Sequence, residues 1–309
     1  SGFISPTGGT NGTKVISDAT VSSSHIIVSP TFTIASGQKH TYSVFVKANQ
    51  LNFARLMFTD STVTNSLSVY FDLLNGTVGT SFASGTATLD SANIENFGNG
   101  WYRCSISGDL ATTTTGTIRI YLAESDNVAT FDGDGIKSIY AFGAQVEANS
   151  YSTSYIKTVG TAQSRSADTA NGAGNASLIS STEGVLYAEI SALANDSTIR
   201  AITLSDGGIS NYVALEYSTA SNRLIASTSG GNVFMQTFAY DITNNLKVAF
   251  KYKENDFALW VNGIEILVDT SGSVPLNLSE LAFDRGDGGS PFYGSAKQIQ
   301  YFDSALNDS

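Results

Sequence analysis

Two acidic turns are the first residues of this sequence that could do chemistry. "FDGDG" sets Asp132 and Asp134 two apart across glycines. That spacing lets both carboxylates, with nearby backbone carbonyls, reach one hard cation such as calcium, although the later ligands of an EF-hand loop do not follow. "FDRGDGG" offers a second such turn with Asp284 and Asp287. Both also read as plain acidic turns, and a structural calcium ion is the one cofactor they would support. The embedded Arg285-Gly286-Asp287 matches an integrin-binding tripeptide, but so short a match arises readily by chance.

Catalytic patterns are weaker. His25 and His40 are the two histidines, in "SSSHIIVS" and "GQKHTYS". Neither has a nucleophile and an orienting acid nearby, so a Ser-His-Asp arrangement is not expected, and both read as partly exposed strand-end residues. A strand-borne Glu-x-Asp-x-x-Glu glycosidase site needs all three carboxylates, a pair of which would sit ~5 Å apart. "ENDFAL" supplies Glu254 and Asp256 but puts Leu259 in the third place. Glu189 and Glu216 lie on adjacent-looking strands and could pair, as could any two solvated carboxylates. No enzymatic activity is expected.

A sugar-binding surface has better support. In "WYRCSIS" (101–107), period two puts Tyr102, Cys104 and Ile106 on one side and Trp101, Arg103 and Ser105 on the other. The same alternation separates Arg119 and Tyr121 from Ile118, Ile120 and Leu122, and Tyr70 from Val69 and Phe71. It separates Arg55 from Ala54 and Leu56 as well. If the apolar sides share a core, Arg55, Tyr70, Trp101, Arg103, Arg119 and Tyr121 share the opposite face. Rings there would cover the apolar face of a pyranose, and guanidinium forks would donate to hydroxyls, carboxylates or sulfates. The alternative is a solvated sheet whose arginines form ion pairs and cover apolar surface with their stems. Trp260 opposes Phe257, Leu259 and Val261, which makes it either a further sugar platform or a residue buried between sheets.

These side chains ride on strands. The chain has 309 residues, 29 glycines, four prolines and 14% charged residues, and no window carries a helical period. Runs of alternating residues recur at 41–47, 53–58, 67–73, 101–107, 117–123 and 138–147, the last interrupted at Gly143. From about 157 to 183 the pattern lapses into small polar residues, then strand signals resume at 184–191 and continue to 269. Asn262-Gly263 between two apolar runs is the clearest hairpin signal. The expectation is an all-β chain of two tandem antiparallel β-sandwich domains, 1–160 and 183–309, joined by a linker at 161–182.

Net charge bounds the partners. At −11, the chain is a poor ligand for nucleic acid, which needs a basic stripe. It has no run approaching the ~18 apolar residues of a spanning helix, and no signal peptide, so membrane insertion is not expected. Cys104 is the sole cysteine, which excludes an internal disulfide.

Several dispersed motifs carry a resemblance. "TYSVFVKANQLNFARL", "YFDLLNGTVGT", "GNGWYRCSIS" and "IYAFGAQVEANSYSTSYIKTVGTAQSRSADTA" resemble, in order and spacing, a module of bacteriophage tail and tail-fibre proteins. That module is a jelly roll like those of carbohydrate-binding modules. "EGVLYAEIS", "LWVNGIEI" and "FYGSAKQIQYFDSALND" resemble a concanavalin A-like sandwich of the laminin-G or pentraxin kind. The module usually opens with one more strand than this chain shows, which implies an upstream piece or a longer polypeptide. The resemblance implies a non-catalytic virion protein, in tail, fibre or decoration, that recognises host-surface glycans, alongside other virion proteins and as a homo-oligomer in some cases. Alternatives are a structural virion module without a ligand and the carbohydrate-binding region of a secreted polysaccharide-degrading enzyme.

Overall fold

A computed structural model describes residues 2–111, 113–158, 160–164, 170–229 and 233–306. Among them the regular structure is all strand, in antiparallel sheets, and the chain divides into two compact units, Ser1–Arg165 and Ser166–Ser309.

In the first unit, one five-stranded sheet runs Thr13–Ile16, Ser138–Glu147, His40–Ala48, Trp101–Asp109, Thr88–Asn96. We call it the Trp101 sheet. The other, the Arg55 sheet, runs Ile26–Val28, Thr115–Ala123, Phe53–Asp60, Ser66–Asp72, Thr77–Ser84, with Phe32–Thr33 pairing beside the first of these on the Thr115–Ala123 strand. Alternation decides what lies between them. Tyr42, Val44, Val46, Cys104 and Ile106 from one sheet meet Leu56, Phe58, Leu67, Val69, Phe71 and Leu122 from the other in one buried cluster. Removing so many large side chains from water is the main stabilising term of the unit, at roughly 1.5–3 kcal/mol each.

The second unit repeats the plan. Its Trp260 sheet runs Ile264–Asp269, Phe257–Val261, Leu246–Lys253, Glu183–Ala192, Gly294–Phe302. Its Glu216 sheet runs Phe234–Thr237, Leu224–Thr228, Tyr212–Tyr217, Arg200–Ser205, Glu280–Ala282. Leu186, Val248, Phe250, Phe257 and Leu259 pack against Ile202, Leu204, Val213, Leu215 and Tyr217. Asn262 and Gly263 turn the expected hairpin with φ of 54° and 82°, the positive values a two-residue I′ turn requires.

Part of the stretch expected as a linker, 161–182, packs on the second sandwich. Within 170–182, Ala173 bridges Leu281, and Ile179 lies buried in the second core. These small polar residues are therefore part of the second sandwich, and residues 165–169 lie outside the described set. Alternation also overlooked Thr77–Ser84 and Thr88–Asn96, whose polar outward residues leave too few apolar ones to mark a period.

Candidate functional site

The six residues expected on one face do not share it. Arg55, Tyr70, Arg119 and Tyr121 lie on the outer side of the Arg55 sheet, while Trp101 and Arg103 lie on the outer side of the Trp101 sheet, across the core. The physical reason is that alternation fixes in or out for each strand but is silent about which sheet a strand joins.

The outer side of the Trp101 sheet is covered by its own chain. Trp101 is 3% exposed, and its Nε1 donates to the Ile4 carbonyl at 3.2 Å. Arg103 is buried too, donating from Nη2 to the Ser43 hydroxyl at 3.0 Å with its guanidinium 5.4 Å from the Phe45 ring centre. Desolvation lowers its pKa, opposed by the charges of Glu147 and Glu95. The cover is the segment after Glu147. The Thr41 and Ser107 hydroxyls donate to the carbonyls of Asn149 and Ser150, both at 2.8 Å, and the Ile156 amide donates to Gln145 Oε1 at 2.9 Å. Tyr155 packs on Phe45 and Phe142. Trp101 and Arg103 are thus structural residues.

On the Arg55 sheet the register makes a row. Tyr121 pairs with Arg55, and Arg55 with Tyr70, so the guanidinium lies between two cross-strand rings, 4.6 Å from the centre of Tyr121 and 5.6 Å from that of Tyr70. Arg55 Nε also donates to the Ser68 hydroxyl. The next row holds Val28, Arg119, Met57, Ser68 and Phe82. Tyr70 and Tyr121 are themselves buried, in a small outer cluster with Met57, Ala123 and Ala129, so neither ring is open as a stacking platform. Phe82, at 44% exposed and edge-on to Tyr70, is the open ring here, and sequence reasoning missed it. Its only signal was an aromatic residue in a weakly patterned strand. Arg55 and Arg119 are half-buried, and among the described residues no carboxylate comes within 4.0 Å of either. Arg119 Nε is buried with no hydrogen-bond partner among the described residues.

The remaining expectations resolve locally. Asp132 Oδ1 accepts the Ser22 amide at 2.7 Å, and Asp134 Oδ1 accepts the amides of Ile136 and Lys137, both at 2.8 Å. The Lys137 ammonium donates to the Asp132 carbonyl at 2.9 Å. The two carboxylates are thus spent on backbone amides, the Lys137 ammonium takes the Asp132 carbonyl and pairs with Glu124 at 2.7 Å, and among the described residues no three His, Cys, Asp or Glu cluster as ligands. The histidines are buried rather than partly exposed. His25 is held by Asp18 at 3.0 Å and the Phe131 carbonyl at 3.3 Å, and His40 by the Gln38 carbonyl at 2.9 Å. Glu189 and Glu216 belong to different sheets and cannot pair through adjacent strands. Asp256 binds the Lys251 ammonium at 2.7 Å, and Leu259 is core. Trp260 is half-buried on the outer side of its sheet, with the Lys251 ammonium 5.8 Å from its ring centre. Asp284 and Asp287 cap the amides of Gly286 and Gly289 at 2.6 and 2.8 Å.

The fold defines the class: a tandem antiparallel β-sandwich protein. No protein-family profile matches the sequence, and no curated protein matches it. Among solved structures, sheep galectin-11 in complex with glycerol is 12% identical over 39% of this chain and 90% of its own, with a TM-score of 0.29. Xenopus laevis galectin-Ib is 16% identical over 43% and 99%, TM-score 0.30. Domains LG4-5 of the mouse laminin alpha1 chain are 10% identical over 94% and 92%, TM-score 0.29.

Proposed function

We propose that the protein is a non-catalytic bacteriophage virion component, in tail, fibre or decoration, that recognises host-surface glycans through the outer side of the Arg55 sheet. The observation that carries the glycan part is the pair of half-buried guanidiniums, Arg55 and Arg119, without carboxylate partners among the described residues in a chain of net charge −11. An acidic protein offers many carboxylates to pair with, so arginines left unpaired beside an open ring have donors to spare for a ligand. Uronate and sulfate groups suit them best, because a fork of N–H donors matches a planar or tetrahedral oxyanion. Phe82 would lie against the apolar side of a ring. The virion setting, with other virion proteins and copies of itself as neighbours, rests on the sequence motifs; a secreted setting is the alternative.

The test is an array of bacterial surface polysaccharides probed with the intact chain, Arg55→Gln and Arg119→Gln. Binding to acidic glycans should appear and fall about tenfold in each variant, the effect of one lost charge-assisted bond. Purified phage particles should contain the chain by mass spectrometry. A flat array would support the second reading, a structural virion module, which the burial of Tyr70 and Tyr121 favours.

A further inference from the structure

A cavity of about 210 Å³ opens on the outer side of the Glu216 sheet, lined by Thr203, Ile209, Tyr212, Ala214, Glu216 and Arg285. Its floor is two neighbouring strands, where Thr203 pairs with Ala214 and Glu216 follows two residues on. Its walls are the loops after Ser205 and after Ala282. Local chemistry holds them in place: the Thr203 hydroxyl donates to the Asp284 carbonyl at 2.9 Å, and the Ala201 amide to the Ser290 carbonyl at 3.1 Å. Gly286, at φ 90°, passes so close to Ser205 that a Cβ would come within 2.5 Å of its hydroxyl. The walls therefore approach only because residue 286 has no side chain.

The polar groups inside are one ion pair with unused capacity. Arg285 Nε and Nη2 both donate to Glu216 Oε2, at 3.3 and 2.9 Å. Among the described residues Glu216 Oε1 takes no hydrogen bond and Arg285 Nη1 gives none, so the pair keeps one free acceptor and one free donor. The pair is neutral, and Asp206 and Asp287 stand exposed on the two wall loops, which disfavours an anion. The volume is below the roughly 300 Å³ at which drug-sized pockets begin, so it suits one ring rather than a chain.

We infer that this cavity binds a single neutral sugar ring through two adjacent hydroxyls, one donating to Glu216 Oε1 and the other accepting from Arg285 Nη1, with its apolar face on Tyr212. This site is separate from the Arg55 sheet and recognises a different class of group.

The experiment is saturation-transfer NMR on the intact chain with methyl glucoside, methyl galactoside, methyl mannoside and N-acetylglucosamine, plus glucuronate and glucosamine as charged controls. At least one neutral sugar should give transfer signals, and Glu216→Gln should weaken it about tenfold by removing a charged acceptor. Ile209→Glu, a change at the exposed rim that leaves the core intact, should weaken it as well. Arg55→Gln should have no effect, which separates failure here from failure of the acidic-glycan proposal. Absence of binding by every neutral sugar would overturn the inference. So would undiminished binding in either cavity variant, or binding confined to the charged controls.

Discussion

Gly143 and Tyr155 fit together because one of them has no side chain. A Cβ on residue 143 would stand 2.9 Å from the Tyr155 ring and 3.3 Å from that of Phe45, and the backbone there has φ 63°. The glycine sits where the Ser138–Glu147 strand shifts register against its neighbour, and that shift makes room for the covering segment. Gly143→Ala should therefore cost more than the ~1–2 kcal/mol of a left-handed backbone alone. Gly135, at φ 73° with nothing near its missing Cβ, gives the backbone cost by itself. Equal losses of Tm in the two alanine variants would mean that the Tyr155 contact contributes nothing.

Trp101→Ala should behave as a core truncation, costing about 3–5 kcal/mol. Arg103→Ala should cost about 1–3 kcal/mol through the hydrogen-bonding partners it strands. Chemical denaturation measures both. Neither should alter glycan binding at concentrations where the variants stay folded, and a selective loss of binding by folded Arg103→Ala would contradict the assignment of that side chain to structure.

Tyr42 is fully buried, its phenol pushed up in pKa by burial, and its hydroxyl finds no partner among the described residues. Phenylalanine keeps the shape and removes the stranded group. Tyr42→Phe should be neutral or stabilising, by as much as about 1–3 kcal/mol. A clear loss of stability on urea unfolding would show that the hydroxyl is satisfied after all.

Acid should weaken the first unit through its turns. Burial pushes Asp60 upward, but hydrogen bonds from Asn65, Thr64 and Thr62 outweigh it and hold the carboxyl below its usual range. Asp72 is lowered in the same way by Asn75 and Leu74, and the backbone amides of Lys137 and Ile136 lower Asp134. A folded pKa below the unfolded one gives stability that is present above the unfolded value, ~3.9, and is lost as pH falls through the folded value. Tm should stay level from about pH 7 to 5 and drop below about pH 4. Asp60→Asn should shallow that drop, and an unchanged acid limb would refute the role given to the Asp60 turn.

Much of this architecture was legible in alternation alone. Six runs of the first unit and the Asn262-Gly263 hairpin fall where period two and turn chemistry put them, because each strand has one buried side. The candidate site was legible only in half. Arg55, Tyr70, Arg119 and Tyr121 converge because their strands are neighbours, whereas Trp101 and Arg103 joined the other sheet, a choice set by long-range pairing that leaves no local mark. The cover over the Trp101 sheet was hidden for the same reason: "SYSTSYI" reads as polar loop until the Ser150 carbonyl meets Ser107 and Tyr155 meets Phe45, both far upstream. The cavity at Glu216 was unreadable, since its parts come from two strands and two loops separated by about seventy residues between Glu216 and Arg285.

Cys104 lies fully enclosed between the two sheets of the first unit, with burial pushing its thiol up in pKa. It is the only sulfhydryl among 309 residues, so no covalent tie within the chain forms or breaks as the protein moves between reducing and oxidising surroundings. Cohesion rests on packing, hydrogen bonds and ion pairs, none of them sensitive to glutathione or oxygen. The same atom is a built-in reporter: alkylating reagents would reach it only in molecules whose first sandwich has come apart, so its labelling rate would count opening events.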